Sequence, residues 1–442
     1  MVAGRQQGNR SRHDSILRIV SLVMRARVLA AATAAVLVSA GVSAPVQAAP
    51  PARAAAAPLP CPKAAAPKVS RPPRPVPPPP VPEDRVVGGE QLDTPGLVAP
   101  AGAPAPPAVT ATSWLVADLD SGAVLGACGP HEYGTPASTQ KLLLAATMLP
   151  KLDPKQAVTV TRSDLKIAPG SSAVGLLVGG RYPVETVWLG LLLNSGNEAA
   201  NVLARLGGGP DLVAGGVRAM NEEAHRLGAR QTHAVTPSGL DGKGQFTSAY
   251  DLALIARACF ANPLFRRYAL TERTQIPAQP ALKKGGFQIQ NENQLIYRYR
   301  GALGGKTGFT ELARHTYVGA AERNGRRLVV TLLGAEARPL RGWQQGAELL
   351  DWGFSLPRDA SVGRLVEPGE LDAAAEAAPS GSPGAPATPP PWQGPVVTAG
   401  RRMAEGDWRV ILPVAGGAAA VVGVVVTLLM ARRRRPVGRR RA

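Results

Sequence analysis

The stretch SWLVADLDSGAVLGA, residues 113–127, predicts how the folded part of this chain begins. Ser113–Asp118 and Ala123–Ala127 are short runs rich in apolar residues, as expected of strands in a protein core. Between them, Asp120, Ser121 and Gly122 are residue types that favour a turn. The stretch therefore predicts a β-hairpin.

The periodicity changes after this hairpin and returns to strand-like runs near the end of the block. Helical spacing of apolar residues is found at Pro136–Met148, Val184–Leu193, Glu198–Leu206, Leu212–Leu227 and Ser248–Ala261. Strand patterns follow at Ala302–Phe309, Thr316–Ala321 and Leu328–Gly334, before a last helix at Gly342–Leu350. Strands at both ends with helices between them predict an α+β fold, in which both ends of the domain form one antiparallel sheet flanked by helices.

Segments of a different composition flank this block, which we place at residues 106–357. Residues 49–105 are rich in Ala and Pro, and residues 358–409 are rich in Pro, Ala, Ser and Gly. Such compositions favour extended chain and supply few side chains for a core. We expect a spacer before the block and a linker after it.

The N-terminus carries the pattern of a secretory signal. Arg25 and Arg27 precede an apolar run over residues 28–42, and small residues follow at Ala48 and Ala49. This arrangement predicts a signal peptide over residues 1–48. Translation could begin at Met1 or at Met24, and the sequence leaves both open.

The C-terminus carries the pattern of a membrane anchor. Residues 410–431 contain no charged side chain, and Arg432–Arg435 follow at once. A helix of this length spans about 33 Å, which is enough to cross a bilayer. Since basic residues stay on the cytoplasmic side, we expect a single-pass protein in the cell membrane, with residues 432–442 in the cytoplasm and the folded block outside.

The net charge of +19 does not indicate nucleic-acid binding, because it is unevenly distributed. Thirteen of these positive charges come from residues 1–50 and 401–442, where they flank the apolar segments. Charge concentrated there is typical of membrane topology signals. The block between them is only mildly basic.

The chain has three cysteines, Cys61, Cys128 and Cys259, and no Cys-x-x-Cys motif or histidine spacing typical of a metal site. We expect no metal and no cofactor. In an oxidising compartment one disulfide could form, and we favour Cys128 with Cys259 because both lie in the central block. Three unpaired thiols are the alternative.

The candidate nucleophile is Ser138, in the sequence Ser138-Thr139-Gln140-Lys141. Thr135 is placed to cap a helix whose first residue is Pro136. The N–H of Ser138 would then be a free donor suited to an oxyanion. Lys141 would lie on the same helical face, and the positive helix end would favour its neutral form, which can act as a general base.

A second Ser-x-x-Lys occurs at Ser163 and Lys166. It precedes Ile167-Ala168-Pro169-Gly170, a sequence that interrupts regular structure. It therefore lacks the helix start that would activate a serine. We favour Ser138 over Ser163 as the nucleophile.

Two further motifs supply polar groups that could share a pocket with Ser138. Ser195-Gly196-Asn197 precedes a predicted helix, so its serine could relay a proton and its amide could orient a lysine. The alternative is that this motif is an ordinary helix cap.

Lys306-Thr307-Gly308 lies on a predicted strand, where Lys306 and Thr307 would point to opposite faces unless the strand is twisted. Gly308 would allow close approach of a ligand backbone, and an ordinary exposed strand is the alternative.

Together these motifs resemble those of penicillin-recognising serine enzymes. Their order, spacing and flanking residues are similar to the low-molecular-mass D-alanyl-D-alanine carboxypeptidases, penicillin-binding serine peptidases of the S11 type. The resemblance covers residues 110–357. The flanking stretches that carry it are Pro136–Thr139, Ser195–Ala200, Thr247–Leu252, Asn291–Asn293 and Gly305–Thr310.

The resemblance implies a β-lactamase/transpeptidase-like fold with an inserted helical subdomain, and acyl transfer on Ser138. The substrate would be the peptidoglycan stem pentapeptide, which loses its terminal D-alanine, and β-lactam antibiotics would acylate the same serine. The implied roles are as follows: Lys141 is the base, Ser195 relays a proton, Asn197 orients Lys141 and the substrate, Lys306 and Thr307 hold the terminal carboxylate, Gly308 admits the ligand, and Phe309 supplies the second oxyanion N–H.

The chain departs from the pattern of these carboxypeptidases at two places. Glu198 stands where an aspartate is usual, and Ala313-Arg314-His315 stands where Ala-Gly is usual, at the expected edge of the pocket. Many members of this family carry a second, all-β domain and an amphipathic anchor. Because a Pro-rich linker and an apolar segment follow the block here, we expect neither.

Three alternatives stay open at this point. A class A β-lactamase is disfavoured by the lack of a Glu-x-x-Leu-Asn sequence between Ser195 and Lys306. A penicillin-sensing or wall-binding module without catalysis is disfavoured by the presence of both Ser138 and Lys141. Endopeptidase or transpeptidase action depends on the acceptor site and is left undecided.

Overall fold

The computed structural model describes residues 57–377. The predicted signal peptide at 1–48, the membrane segment at 410–431, the basic tail at 432–442 and most of the linker lie outside these residues. Between residues 57 and 377, no helix combines the length and the apolar character needed to cross a membrane.

Strands occur near both ends of the domain and in its middle. They are β1 (Leu97–Val98), β2 (Ser113–Asp118), β3 (Ala123–Cys128), β4 (Ala157–Thr159), β5 (Arg181–Pro183), β6 (Arg273–Ile276), β7 (Phe287–Gln290), β8 (Ala302–Thr310), β9 (Arg314–Arg323), β10 (Arg326–Ala335) and β11 (Gly363–Arg364).

The helices lie mainly between β3 and β8. They are α1 (Pro82–Arg85), α2 (Lys141–Met148), α3 (Val184–Leu193), α4 (Asn197–Gly207), α5 (Leu212–Arg226), α6 (Ala249–Ala261), α7 (Pro263–Leu270), α8 (Leu295–Arg298), α9 (Gly342–Ser355) and α10 (Glu370–Ala377). Short 3-10 helices occur at Glu90–Leu92, Ala137–Gln140, Gly209–Asp211 and Pro280–Leu282.

The main sheet joins the two ends of the domain, as predicted. Its strand order is β1-β3-β2-β10-β9-β8, with β11 paired to β3, and every pairing is antiparallel. The early hairpin meets the late strands where β2 pairs with β10, with Val116 opposite Val330. The predicted α+β architecture is therefore confirmed.

Both faces of this sheet are covered, which explains why β2 reads as a nearly continuous apolar run. Trp114 and Val116 pack in a core beneath α9, whereas Leu115 and Ala117 pack in a larger core with the central helices. All six residues of β2 are buried. A strand buried on both faces does not need a polar side.

Several elements in the middle of the domain were not predicted. The helix α7 follows α6 directly, with Asn262 accepting hydrogen bonds from the N–H groups of Leu264 and Phe265 at its start. The hairpins β4–β5 and β6–β7 have only three or four residues per strand. Strands this short carry little periodic signal, which is why the sequence pattern missed them.

The start of the nucleophile helix differs from the prediction of a single helix at Pro136–Met148. Ala137 has φ 46°, and residues 137–140 form a 3-10 turn before α2 begins at Lys141. The residue before this turn is Pro136, and no side chain caps it, so the predicted capping role of Thr135 is wrong. The left-handed Ala137 prevents the backbone from entering an α-helix at Pro136.

The segments before and after the predicted block differ from free spacers over the part of the chain that the structure describes. Leu92 is fully buried, and the backbone of Lys63 pairs with that of Val109. On the other side, β11 extends the sheet, and Leu365 and Val366 are buried. The packed region therefore extends beyond 106–357 at both ends, because these segments use the core of the domain rather than a core of their own.

The predicted disulfide between Cys128 and Cys259 is wrong. Cys128 is instead bonded to Cys61 of the Pro-rich segment, and Cys259 is a buried free thiol. Cys128 belongs to the core beneath α9, whereas Cys259 lies on α6 in the core on the opposite face of the sheet. The sheet separates the two sulfur atoms, so they cannot meet.

Candidate active site

Ser138 lines a cavity of about 540 Å³, formed between the 3-10 turn, β8, the loop that joins β4 to β5 and the turn before α4. Residues from all three predicted motifs contribute to this one cleft. Its lining includes Ser138, Ser195, Asn197, Thr307, Gly308 and Phe309, together with Ala168–Ser172, Gly239–Asp241, Glu292, Thr310, Glu311 and His315. The structure thus brings the three stretches together.

The amine of Lys141 is completely buried and has three polar neighbours. Its Nζ lies 2.8 Å from Ser138 Oγ, 2.7 Å from Asn197 Oδ1 and 2.9 Å from the carbonyl oxygen of Ser238. A neutral amine has two N–H groups, which the amide and carbonyl oxygens can accept. Its lone pair is then left for the hydroxyl hydrogen of Ser138. This is the arrangement that a general base requires.

Burial lowers the pKa of Lys141 well below its ordinary value of 10.5, and the positive charge of Lys306 acts in the same direction. The carboxylates of Glu198 and Glu292 oppose this shift but do not cancel it. Loss of solvation favours the uncharged form of an amine. The structure therefore buries Lys141 beside Ser138, as predicted, and this burial shifts its pKa in the predicted direction.

Ser195 and Asn197 are held on the turn that leads into α4. Ser195 adopts φ 60°, a left-handed conformation that a non-glycine residue rarely takes, and it is 5% exposed. Its hydroxyl has no hydrogen-bond partner within residues 57–377. Gly196 precedes α4 and no side chain caps that helix, which excludes the alternative that this motif is an ordinary cap.

The strand β8 brings Lys306, Thr307 and Gly308 to the cleft. Lys306 is 2% exposed and donates from Nζ to the carbonyl oxygen of Thr307 at 2.7 Å. Burial lowers the pKa of Lys306 to about 8, against an opposing effect of Glu292. Thr307, Gly308 and Phe309 line the cavity directly, whereas the Lys306 side chain is buried beside it.

Gly308 is required by the close approach of β8 to the nucleophile turn. A Cβ atom at this position would lie 2.8 Å from the Ser138 nitrogen and 2.3 Å from Thr316 Oγ1. Thr316 in turn donates to the carbonyl oxygen of Pro136 at 2.8 Å. The strand and the turn therefore fix each other, and the backbone nitrogen of Ser138 lies close to β8.

The second Ser-x-x-Lys motif is not part of the cleft. Ser163 and Lys166 are both exposed. The residue between them that matters structurally is Asp164, which is buried and paired with Arg205 at 2.8 Å. The preference for Ser138 over Ser163 is consistent with this placement.

Glu198, the first departure from the usual pattern, holds a loop that lines the cleft. Its Oε1 accepts from the N–H groups of Val174 and Gly175 at 2.7 and 2.8 Å, and the side chain is 1% exposed. The backbone N–H of Asn197 donates to Ser172 in the same loop at 2.9 Å. A glutamate is thus well suited to tie this loop to the start of α4.

Sequence reasoning missed Ser238 and assigned no role to Glu292. Ser238 contacts Lys141 through its carbonyl oxygen, and a main-chain contact leaves no side-chain signature in the sequence. Glu292 is an exposed carboxylate between the buried Asn291 and Asn293. It also lines an adjoining cavity of about 360 Å³, together with Arg338, Arg341 and Trp343. The available signal was its place in Asn291–Asn293, one of the flanking stretches that carry the family resemblance.

Comparison with known proteins agrees with this geometry. The sequence model of the D-alanyl-D-alanine carboxypeptidase family, peptidase S11, matches residues 101–337. The D-alanyl-D-alanine carboxypeptidase DacB2 of Mycobacterium tuberculosis is 44% identical over 273 residues, which cover 61% of this chain and 90% of that protein.

Solved structures show the same fold. A crystal structure of a D-alanyl-D-alanine carboxypeptidase from Mycobacterium tuberculosis H37Rv has a TM-score of 0.57 at 43% identity, covering 61% of this chain and 100% of that chain. The Streptomyces K15 DD-transpeptidase has a TM-score of 0.54 at 27% identity, covering 57% of this chain and 99% of that chain. The β-lactamase/transpeptidase-like fold is thereby confirmed. Since the family match spans residues 101–337 and DacB2 aligns over nearly its whole length, this chain belongs to the peptidase S11 family of D-alanyl-D-alanine carboxypeptidases.

Proposed function

We propose that this protein is a serine-type D-Ala-D-Ala carboxypeptidase that removes the terminal D-alanine from peptidoglycan stem pentapeptides. The observation that carries the proposal is the 2.8 Å approach of the buried Lys141 amine to the Ser138 hydroxyl. Burial lowers the pKa of Lys141, which favours the neutral amine that can take the hydroxyl proton. No other serine and lysine of the described residues share such a contact in a cleft.

The first half of the reaction forms an acyl-enzyme. Ser138 Oγ attacks the carbonyl carbon of the penultimate D-alanine, and its proton passes to Lys141 Nζ. The N–H groups of Ser138 and Phe309 stabilise the negative charge on the carbonyl oxygen. The peptide C–N bond then breaks, and Lys141 passes the proton through Ser195 to the leaving D-alanine amine, which returns Lys141 to its neutral form.

The second half restores the enzyme. A water molecule attacks the ester carbon, gives its proton to Lys141, and displaces Ser138 Oγ, which regains a hydrogen. Asn197 keeps the amine oriented through its 2.7 Å contact. A β-lactam enters the first half in the same way, but its leaving group stays attached to the acyl chain after the ring opens.

Recognition of the peptide end would use the base of the cleft. The terminal carboxylate is assigned to Thr307 and to the charged form of Lys306, whose pKa of about 8 leaves it largely protonated at neutral pH. Gly308 and Phe309 present the edge of β8, where the peptide backbone can pack against it.

The test uses the full-length protein with a fluorescent penicillin and, separately, with a pentapeptide ending in D-Ala-D-Ala. We expect covalent labelling of Ser138 and release of free D-alanine, with both lost in Ser138→Ala. Labelling without D-alanine release would instead favour a penicillin sensor. Rapid release of hydrolysed penicillin would favour a β-lactamase, and the absence of any labelling would refute the proposal.

Residues outside the described part of the chain carry the proposed location. We infer that residues 1–48 direct export and that residues 410–431 anchor the protein, with the folded domain on the extracytoplasmic side. The uncharged run followed by Arg432–Arg435 supports this. Deletion of residues 410–442 should release the enzyme from alkali-washed membranes, and persistence in the membrane would contradict the anchor.

A further inference from the structure

The second departure from the usual pattern, Arg314, adopts a backbone conformation that favours glycine. Its φ is 56°, and it is the first residue of β9, directly after the turn that follows β8. A left-handed conformation is unfavourable for a residue with a Cβ atom, and such strain is often retained where a side chain has a task. The position therefore carries an arginine at a conformational cost.

The contacts of Arg314 explain what the side chain does there. Its Nε and one terminal nitrogen donate to the two oxygens of Glu336, each at 3.1 Å. The guanidinium carbon also lies 5.2 Å from the centre of the Phe309 ring. Glu336 has a side chain only 2% exposed, so this two-point pairing is held in a fixed geometry.

A second arginine reaches the same carboxylate from the N-terminal segment. Arg71 donates to Glu336 Oε1 at 2.6 Å, and its side chain is 32% exposed. The segment that bears Arg71 is fastened upstream by the bond between Cys61 and Cys128. The buried carboxylate of Glu336 therefore lies between two guanidinium groups, one from the domain and one from the segment before it.

This cluster adjoins the edge of the catalytic cleft. Phe309 and His315 are paired across β8 and β9, and their rings are 4.7 Å apart. Both line the catalytic cavity, and Arg314 is the residue immediately before His315. Any movement of Arg314 would be transmitted to this pair, and Phe309 is the residue to which we assign the second oxyanion N–H.

We propose that Arg314 is a positioning residue that fixes the Phe309–His315 edge of the cleft, and that Arg71 of the disulfide-fastened N-terminal segment supports it through Glu336. The inference rests on the proposed acylation of Ser138. It assigns part of the working structure of the enzyme to a segment that lies before residue 101, where the family match begins.

The first test compares the acylation rate and the dissociation constant of penicillin for full-length variants. Arg314→Gly combined with Glu336→Gln removes the positioning contact without leaving a buried unpaired carboxylate. We expect the acylation rate to fall about 10- to 100-fold, as for small misplacements of a catalytic group, while the dissociation constant changes less. Asn324→Gly, at φ 51° in the turn between β9 and β10, relieves the same kind of strain away from the cleft and should leave acylation unchanged.

The second test uses Arg71→Gln, which alters a partly exposed side chain and leaves the family domain intact. We expect a smaller loss of acylation rate, about threefold to tenfold, with the folded protein still present by circular dichroism. If the double variant does not fold, this variant decides the question alone.

Acylation within twofold of the parent in the folded variants would overturn the inference. Failure of the parent protein itself to react with penicillin would instead contradict the proposed function. The positioning role and the proposed function are therefore contradicted by different results.

Discussion

The side-chain oxygen of Asn197 accepts a hydrogen bond from the amine of Lys141 at 2.7 Å. The two residues are brought together from the starts of α4 and α2. An amide oxygen at this place orients the amine without supplying a negative charge that would hold a proton on it. The contact therefore favours the neutral lysine that the proposed chemistry needs.

Replacement of Asn197 by aspartate tests this electrostatic role. The new carboxylate would raise the pKa of Lys141, so that less of the neutral amine is present at pH 7. Each pKa unit gained lowers the neutral fraction about tenfold. We expect acylation by penicillin to fall at neutral pH and to recover as the pH is raised. An unchanged pH profile, or equal loss in the distant Asn324→Asp control, would contradict the role.

Lys306 predicts an upper limit to the active pH range. Its pKa is about 8, so the charge that we assign to carboxylate binding is present below this pH and is lost above it. We expect kcat/KM for the pentapeptide to decline above about pH 8. In Lys306→Arg the guanidinium stays charged, and the decline should move to higher pH even if the maximum rate is lower. A decline that stays at the same pH in this variant would assign it to another group.

Gly308→Ala tests the close packing of β8 against the nucleophile turn. The added methyl would overlap the backbone at Ser138 and the hydroxyl of Thr316. Since backbone cannot move aside as a flexible side chain can, we expect loss of penicillin labelling together with a stability loss of about 1–3 kcal/mol. Gly285→Ala is the matched control, because a Cβ at Gly285 meets no atom within 4 Å. Normal labelling of Gly308→Ala would show that the turn and the strand are separable.

Cys61→Ser tests the attachment of the N-terminal segment. The disulfide joins residues 67 positions apart. In the chain-entropy treatment, a cross-link over a loop of this size stabilises the folded state by about 4 kcal/mol. We expect a lower midpoint of unfolding in urea for Cys61→Ser.

Thiol labelling provides the accompanying control. In the native parent Cys259 should resist alkylation, because it is fully buried and its burial raises the pKa of its thiol. In Cys61→Ser the released Cys128 should become a second thiol in the denatured protein. The denatured, unreduced parent should show one alkylated thiol, at Cys259. Three alkylated thiols would show that no disulfide is present, and alkylation at Cys61 or Cys128 instead of Cys259 would contradict the assigned pairing.

Local signals were sufficient for the sheet and for the chemical groups of the site. The apolar runs at Ser113–Asp118 and Leu328–Gly334 predicted strands that the structure pairs as β2 and β10. The motifs at Ser138, Ser195 and Lys306 predicted one cleft, and their side chains lie in or beside it. Such signals survive in sequence because periodicity and residue type are properties of short segments.

The predictions from sequence were wrong where contacts between distant segments determine the local structure. The partner of Cys128 depends on which face of the sheet each sulfur occupies, and sequence position does not reveal this. The left-handed Ala137 that displaces the start of α2 is accommodated by packing against Gly239, not by its own preference. The order in the Pro-rich segment likewise comes from the domain surface that it contacts.

The sequence by itself determined which residues could carry acyl transfer and that strands from both ends of the domain would enclose helices. Only the tertiary structure decided that the Lys141 amine is buried and that the oxygens of Asn197 and Ser238 accept its two hydrogen bonds. The tertiary structure also decided that Arg71 pairs with Glu336. The reason is physical: residue type fixes what a side chain can do, whereas solvation and hydrogen bonding are set by neighbours that are far away in the chain.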